Sequence, residues 1–305
     1  MAEQLILGTR GSPLALAQAR MTALQIEVVH GWPAGSVTLK IVKTSGDRIQ
    51  DRPLAELGGK ALWTKELDQA LLKGETSASV HSMKDVESER PPELYIAAML
   101  PRADVRDRLI GAPSISALKQ GAIVGTSSPR RTAQLLALRP DLRIIPLRGN
   151  VETRLAKLAA RECDATLLAA AGLDRLGRQD VGVALDEMLP APAQGAVGIE
   201  CRVDDDMMRR ILTQISHQQT MTAVRAERAF LCGLGGTCHS AVAALATVNP
   251  EGSILLRAQL LSEEGRDQLV DEAEFAAHDD EAAAAFAIEM LARSPRSIRR
   301  LFDPR

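Results

Sequence analysis

Apolar runs alternate with amphipathic stretches through the first two thirds of this chain. Runs of strand length lie at 36–44, 77–82, 93–100, 142–147, 164–172 and 196–203, and helical periodicity lies at 63–75 and 150–163. Strands that alternate with helices predict parallel or mixed sheets with helices on both faces, an α/β fold. The run at 196–203 is also a candidate strand for the sheet that the first part of the chain forms.

Two segments of the chain repeat one pattern. Residues 6–19 read ILGTRGSPLALAQA and residues 123–137 read IVGTSSPRRTAQLLA. In each, an apolar strand leads through Gly-Thr and a short turn to a Ser-Pro pair that opens a helix. We expect Ser12 and Ser128 to be N-caps and the following prolines to take the first helical position, where a missing N–H costs nothing. The repeat predicts two similar α/β lobes.

The last third of the chain has a different pattern. A helix at about 219–231 precedes strands at 241–248, 253–262 and 267–275, which NPEG and EEGR turns separate, and an alanine-rich helix ends the chain. Strands joined by tight turns predict an antiparallel sheet backed by helices. We therefore divide the chain into a first domain (1–99 with 196–216), a second domain (100–195) and a small C-terminal α+β domain (217–305).

Composition narrows the class of protein. Of 305 residues, 46% are hydrophobic but only 2% are aromatic, so the core has to be built from Leu, Ala, Val and Ile. The net charge of −2 gives no overall basic field for nucleic acid. The four cysteines form no C-x-x-C pair, which argues against a zinc site, and no run is long enough to span a membrane. We expect a cytoplasmic protein with no bound metal, no membrane contact and no nucleic-acid partner.

Arginine marks a predicted anion site. A helix that follows a strand points backbone N–H groups and its positive dipole end at the sheet edge, and both repeats carry arginine there, namely Arg10, Arg130 and Arg131. Arg148 and Arg175 follow predicted strands, where α/β folds bind ligands. Arginine suits bidentate capture of carboxylates. We read Arg139, Arg143 and Arg161 as a solvated basic face.

Lys84 and Asp85 come directly after a predicted buried strand, in VHSMKDV. Adjacent opposite charges are most often a surface ion pair in a turn, but Lys84 also fits a Schiff-base lysine and Asp85 a catalytic carboxylate. His81 and His239 have no partner at metal-ligand spacing, and we read both as structural or solvent-facing. The GGK at 58–60 lacks the other residues of a phosphate-binding P-loop.

Cys238 is either a reactive thiol or an inert one. It lies in GLGGTCHSAVAALA, after a glycine pair that would let a bulky group approach the backbone. Free cysteine is more often a small buried hydrophobe. The residues alone leave both readings open.

A family resemblance covers residues 6 to about 248. TRGSPLALAQA, KTSGDRIQDRPL, GGKALWTKELDQALL, VHSMKDV, GTSSPRR, LRGNVETRL, AAAGLDRLG, QGAVGIE and ERAFLCGLGGTCHSAVA occur in order and together resemble the porphobilinogen deaminase (hydroxymethylbilane synthase) family. The resemblance implies three domains, the first two similar to the lobes of periplasmic binding proteins. It also implies a dipyrromethane cofactor on a cysteine thioether and condensation of four porphobilinogen molecules to hydroxymethylbilane, a step of tetrapyrrole and heme biosynthesis.

The resemblance also assigns roles to residues of this chain. Cys238 matches the attachment cysteine and Asp85 the catalytic carboxylate. The positions that match cofactor- or substrate-binding residues are Arg10, Ser12, Lys60, Lys84, Ser127, Ser128, Arg130, Arg131, Arg148, Arg154 and Arg175. Thr237, Ala241 and Glu56 depart from residues common in the family, which bears on the cofactor loop and on the loop at 48–62.

Two other classes of function remain as alternatives. A non-enzymatic two-lobed anion-binding protein would use the arginines but give the C-terminal domain and its cysteine no role. A pyridoxal phosphate enzyme would use Lys84 but lacks a glycine-rich phosphate cup nearby. We expect a monomer, with hinges near residues 99–103 and 191–196.

The cysteine assignment gives a direct prediction. Purified wild-type protein should exceed its sequence mass by two linked pyrroles, and Cys238→Ala should have the bare mass and no activity, because the thioether cannot form. Cys232→Ala is the control and should keep the added mass. Intact mass spectrometry of denatured protein measures both, and added mass on Cys238→Ala would refute the assignment.

Overall fold

The computed structural model describes residues 5–44, 64–235 and 241–302. Its strands are β1 (Leu5–Thr9), β2 (Val37–Ile41), β3 (Ala78–Ser82), β4 (Leu94–Met99), β5 (Asp107–Ile110), β6 (Ile123–Gly125), β7 (Arg143–Ile145), β8 (Ala165–Ala169), β9 (Val183–Leu185), β10 (Val197–Arg202), β11 (Val242–Val248), β12 (Ser253–Leu261) and β13 (Gln268–Ala276). Its α-helices are α1 (Pro13–His30), α2 (Lys65–Leu72), α3 (Pro129–Leu138), α4 (Val151–Ala159), α5 (Ala170–Arg175), α6 (Asp206–Thr213), α7 (Gln218–Gly233), α8 (Asp280–Arg293) and α9 (Arg296–Arg299).

The chain divides into two compact units. Unit 1 comprises Met1–Ala103 and Gly195–Met221, and unit 2 comprises Asp104–Gln194 and Thr222–Arg305. The predicted second and third domains therefore share unit 2, and their separation stays a prediction. One reason is that Gly265, in the β12–β13 turn, packs so closely on α3 that a Cβ there would lie 2.0 Å from the carbonyl oxygen of Ala133.

The two larger sheets have the same strand arrangement. Within the described residues, the sheet of unit 1 runs β2-β1-β3-β10-β4 and the sheet of unit 2 runs β7-β6-β8-β5-β9. In each, the first three strands are parallel and the fourth is antiparallel to both neighbours. The prediction of two similar lobes is confirmed, and β10 does return to the first of them.

The repeated Ser-Pro sequence forms the same local structure twice. Ser12 Oγ accepts from the Ala15 N–H at 3.3 Å and Ser128 Oγ from the Arg131 N–H at 3.4 Å, and each helix begins at the next proline. The glycine before each turn allows close packing. A Cβ on Gly125 would lie 2.9 Å from Leu147 Cδ2 and 3.0 Å from Cys163 Sγ. Each lobe thus starts with a capped helix directly after a parallel strand.

The C-terminal part of unit 2 is a small α+β layer, as predicted. Strands β11, β12 and β13 form an antiparallel meander with neighbouring strands joined by short turns. Phe230 of α7 and Phe286 of α8 pack against its buried face, with ring centroids 5.6 Å apart. Among the described residues, no helix is long and apolar enough to cross a membrane.

Some local predictions were wrong. The run at 164–172 is strand only to Ala169 and continues as helix α5, because alanines fit both states and the helix is decided by tertiary packing. The strands at 107–110 and 183–185 are too short to give a pattern. Helical periodicity extended to residue 163, but helix α4 ends at Ala159 and Cys163 lies in the bend before β8.

Candidate active site

Unit 1 contains a small pocket at the carboxyl edge of its parallel strands. Arg10 and Ser12 reach it from the β1–α1 turn, and Asp85 reaches it from the 3₁₀ turn Met83–Asp85 that follows β3. Strands β1 and β3 are parallel neighbours, so their carboxyl ends meet at one edge. The residues with polar side chains that line the pocket are Arg10, Ser12, Gln18, Thr64, His81, Ser82 and Asp85. Three residues chosen from the sequence are thus brought together.

Gln18 is a pocket residue that the sequence reasoning missed. It is buried on α1, and its amide Nε2 lies 2.8 Å from the Ser82 hydroxyl, to which it donates. A glutamine on an amphipathic helix gives no signal of its own in a sequence. Its position here ties α1 to the end of β3, immediately before the turn that carries Asp85. Lys84 belongs to the same turn but is not among the lining residues.

A buried ion-pair cluster lies behind this pocket, with Arg90 at its centre. Arg90 Nε and Nη2 donate to the two carboxylate oxygens of Glu200 on β10, both at 2.8 Å. Arg90 Nη2 also donates to Asp68 on α2 at 2.6 Å, and Nη1 donates to Glu87 at 2.9 Å. The Thr64 hydroxyl, which lines the pocket, donates to Glu87 as well. Three carboxylates therefore surround one guanidinium, a local excess of negative charge.

These contacts change the pKa values of the carboxyl groups. Burial alone would raise the pKa of Glu200, but His81 and Arg90 lower it from 4.5 to about 2. Burial raises the pKa of Asp68 in spite of Arg90. Glu200 is therefore ionised at neutral pH and anchors Arg90 as a bidentate ion pair.

His81 is buried and not solvent-facing. Its side chain lines the pocket, and its Nε2 lies 3.3 Å from Glu200 Oε2. It lies on β3 opposite β10, with His81 in register with Gly198 and Ser79 with Glu200. Sequence reasoning could not find this partner because Glu200 lies over 100 residues away. His239 lies outside the described residues.

In unit 2, the predicted arginine pair is buried on one carboxylate. Asp107 accepts from Arg130 Nη2 on Oδ2 at 2.7 Å and from Arg131 Nη2 on Oδ1 at 2.7 Å. Burial would raise the pKa of Asp107, but the two guanidinium groups hold it well below its usual range. Burial lowers the pKa of Arg130. The pair was predicted to bind ligand carboxylates, and the structure shows that both guanidinium groups also donate to Asp107, which sequence reasoning missed.

This cluster still has a surplus of positive charge. Two guanidinium groups share one carboxylate, and Arg130 Nε has no hydrogen-bond partner among the described residues. Arg131 Nη1 donates to the backbone carbonyl of Leu167 at 2.9 Å. A buried group of two cations and one anion favours an additional anion. Carboxylate binding by Arg130 and Arg131 therefore stays a prediction that fits the charge count.

The other predicted residues of unit 2 follow the same sheet edge. Ser127 and Arg148 come after the parallel strands β6 and β7, and the Ser127 hydroxyl donates to the Leu147 carbonyl at 3.1 Å. Arg154 Nε donates to the Gly149 carbonyl at 2.9 Å. Arg175 ends helix α5 rather than following a strand directly, and burial lowers its pKa. Arg139, read as solvated, instead donates to Asp141 at 2.7 Å.

Comparison with known proteins agrees with this arrangement. Residues 5–210 match the family model described as porphobilinogen deaminase, dipyrromethane cofactor binding domain, and residues 221–292 match the model of the porphobilinogen deaminase C-terminal domain. The chain belongs to the porphobilinogen deaminase family. The porphobilinogen deaminase of Sphingopyxis alaskensis is 52% identical over 97% of this chain and 96% of its own length.

Further relatives lie at similar distance. The porphobilinogen deaminase of Paracoccus denitrificans is 46% identical over 95% of this chain and 94% of its own, and the chloroplastic porphobilinogen deaminase of Oryza sativa is 47% identical over 85% and 74%. Among solved structures, the methionine-binding protein MetQ aligns with a TM-score of 0.44 at 13% identity, over 69% of this chain and 89% of its own. A periplasmic amino-acid and opine family-binding protein from Silicibacter pomeroyi, solved with lysine, gives a TM-score of 0.39 at 15% identity, over 69% and 88%. These scores are low, and the two-lobed architecture rests on the strand order instead.

Three of the four cysteines lie in the described part of this porphobilinogen deaminase family member. Burial raises the pKa of Cys163, and burial also raises the pKa of Cys201 to about 12, so both are poor nucleophiles. Cys232 is partly buried in α7. Cys238, Lys60, Glu56 and Thr237 lie outside the described residues. Ala241 is described, and it packs with Ala133 of α3 and Leu261 of β12.

The Glu200–Arg90 pair gives a prediction for acid stability. Because the pKa of Glu200 is lowered from 4.5 to about 2, its contribution is complete above pH 4.5 and is lost as the pH falls toward 2. Glu200→Gln should lower the free energy of unfolding at pH 7 by on the order of 3 kcal/mol, with a smaller difference from wild type at pH 3.

Urea unfolding at pH 7 and pH 3 measures this difference. Glu93→Gln is the control, since Glu93 is exposed in the same unit, and it should match wild type at both pH values. A Glu200→Gln deficit of equal size at the two pH values would contradict the assignment of the ionised pair.

Proposed function

We propose that this protein is the enzyme that condenses four porphobilinogen molecules head to tail, with loss of ammonia at each addition, and releases hydroxymethylbilane by hydrolysis. Family membership supports the reaction class. The observation that carries the proposal is the pocket of unit 1. Asp85, from the turn after β3, lines it together with Arg10 and Ser12, which directly precede α1. The reaction needs such a combination, because its substrate carries carboxylates and passes through a cation.

Arg10 and the start of α1 would bind substrate carboxylates. Each pyrrole of porphobilinogen carries an acetate and a propionate. Helix N-termini and arginine both favour carboxylates, the first through free N–H groups and the dipole, the second through bidentate hydrogen bonds. Gln18 would hold Ser82 in place beside this anion site, since their side chains are hydrogen-bonded.

Asp85 would stabilise the cation that remains when porphobilinogen loses ammonia. That positive charge is spread over the ring and its N–H, from which a fixed carboxylate can accept a hydrogen bond. The same carboxylate can help to remove the proton lost when the new bond forms. Lys84 has the wrong charge for this role and would bind a carboxylate next to it.

A dipyrromethane cofactor fits the residues present. It would carry four carboxylates, and the Arg130, Arg131 and Asp107 cluster has a positive surplus and an unpartnered Arg130 Nε among the described residues. When bound, the group supplies the pyrrole carbon to which the first substrate is joined. Cys238 would hold it by a thioether, and Lys60, Lys84, Ser127, Ser128, Arg130, Arg131, Arg148, Arg154 and Arg175 would bind its carboxylates or those of the growing chain.

We place this activity in tetrapyrrole and heme biosynthesis. Porphobilinogen is the small-molecule partner, and a cytoplasmic monomer that binds neither nucleic acid nor membrane is the simplest form in which the reaction can run.

The reaction itself is the first test, together with Asp85. Wild-type protein given porphobilinogen should release ammonia and hydroxymethylbilane, measured by an ammonia assay and by absorbance of the oxidised product. Asp85→Ala should keep the cofactor mass but lose about 10²- to 10³-fold in turnover, because a preorganised charge is removed. Asp85→Glu should be partly active.

Contrary outcomes are specific. An anion-binding protein would bind porphobilinogen without releasing ammonia. A pyridoxal enzyme would give a borohydride-trapped adduct on Lys84 and an active Asp85→Ala.

Arg148 gives a second prediction, with Arg143 as its matched control. Both lie at β7, but Arg148 follows the strand at the ligand-binding edge whereas Arg143 begins the strand and is exposed. Arg148→Leu should raise KM at least tenfold or lower the rate of chain elongation at least tenfold. The reason is that truncating one partner of a buried charge pair, here the proposed pair of Arg148 and a substrate carboxylate, costs about 2 to 5 kcal/mol. Arg143→Leu should change steady-state kinetics by less than about fivefold. Equal effects at both positions would contradict the proposed role.

A further inference from the structure

The irregular segment 189–194, here called the exit segment, is the last part of unit 2 before the chain enters unit 1 at Gly195. It is bonded to its own unit at four points. The carbonyl oxygens of Leu189 and Pro190 accept hydrogen bonds, the Ala193 N–H donates to Glu227, and the Gln194 side chain donates twice. An irregular segment with this many buried bonds has a defined conformation.

Two of these bonds reach the arginine pair. Leu189 O accepts from Arg130 Nη1 at 2.9 Å, and Gln194 Nε2 donates to Asp107 Oδ1 at 2.9 Å. Gln194 is 1% exposed, and its Nε2 also donates to the Val105 carbonyl at 2.7 Å. The exit segment therefore shares the hydrogen-bonding groups of the cluster that the proposed function assigns to carboxylate binding.

The oxygens of Asp107 are fully used in this arrangement. Oδ1 accepts from Arg131 Nη2 and Gln194, and Oδ2 accepts from Arg130 Nη2 and from Arg131 Nε at 3.2 Å. A ligand carboxylate that takes the Arg130 Nε–H, which has no partner among the described residues, binds the same guanidinium that donates to Asp107 and to Leu189 O. Of the other acceptors of the pair, Leu167 O lies in strand β8 and Gln134 Oε1 on helix α3, whereas Leu189 O lies on the exit segment. Leu189 O is therefore the acceptor of the pair that lies outside regular secondary structure.

The exit segment also holds a strained residue. Ala193 has a φ of 61°, a left-handed conformation that side chains disfavour. Buried Glu227 maintains it, with Oε2 accepting from the Ala193 N–H at 2.6 Å and Oε1 accepting from the Ala246 N–H of β11 at 2.8 Å. Strain that the surroundings maintain is concentrated at active sites, ligand clamps and switch regions.

We infer that Gln194 is a positioning residue that couples carboxylate binding at Arg130 and Arg131 to the conformation of the exit segment. The inference rests on the proposed function, because it assigns the ligand of the pair to the growing pyrrole chain. Gln194 acts through Asp107 and does not touch substrate. Each added pyrrole would thus change the conformation of the exit segment, where the polypeptide leaves unit 2.

Hydrogen exchange of the holoenzyme tests this coupling. Porphobilinogen should change amide exchange in a peptide covering residues 189–195 of the wild type. Gln194→Met, which removes the amide at similar length, should abolish that change, lower turnover roughly tenfold or more and build up protein with a partly elongated chain by intact mass. Gln120→Met is the control, because Gln120 is exposed in the same unit, and it should behave as wild type.

The outcomes separate the coupling from the function. Active wild-type enzyme with unchanged exchange at 189–195 overturns the coupling, as does an exchange change that persists in Gln194→Met. Wild-type protein with no added mass and no ammonia release overturns the proposed function instead. If Gln194→Met lowers the melting temperature but leaves the proportions of the partly elongated enzyme species as in wild type, the role of Gln194 is only structural and the coupling is overturned. If that variant does not fold, Gln194→Asn replaces it, since it keeps a neutral amide but is one methylene too short to hold both Asp107 and the Val105 carbonyl.

Discussion

Asp107 forms ion pairs with two guanidinium groups that are buried in unit 2, and much of that unit is arranged around this requirement. A buried arginine without a carboxylate is too costly to keep, so α3, β5 and β8 have to meet where Arg130, Arg131, Asp107 and the Leu167 carbonyl can all be satisfied. The same constraint reaches the C-terminal layer. Gln134, which accepts from Arg130, donates to Gln259 of β12 at 2.8 Å. The pair thus orders the helix that presents it and the sheet that supports that helix.

Unit 1 also contains a buried ion-pair cluster, but its surplus charge is negative. Arg90 is one cation among Glu200, Asp68 and Glu87, whereas Asp107 is one anion between two cations. Each surplus matches the chemistry proposed for its unit, since a negative surplus behind the Asp85 pocket favours a developing cation and a positive surplus favours carboxylates. Buried ion pairs add little net stability compared with an apolar core, so stability alone does not account for their presence.

Local sequence patterns predicted the start of each lobe well. The Ser-Pro pairs cap α1 and α3, and the prolines occupy the first turn, because capping depends only on residues within one helical turn. The alternation of strands and helices also predicted two similar sheets, which the strand orders confirm. Helix α5 was missed, because a run of alanines fits both states and tertiary packing decides between them.

The sequence by itself determined the candidate residues, since Arg10, Ser12, Asp85 and the arginine pair all follow strand ends in a recognisable pattern. Tertiary structure alone decided their partners. Asp107, Gln194, Glu200 and His81 show no pattern of their own, and each meets its partner across more than 20 residues of chain. Burial explains why these partners could not be predicted. A charge removed from water needs a counter-charge or hydrogen-bond partner close to it in space, and the folded sheets bring such partners together from distant parts of the sequence.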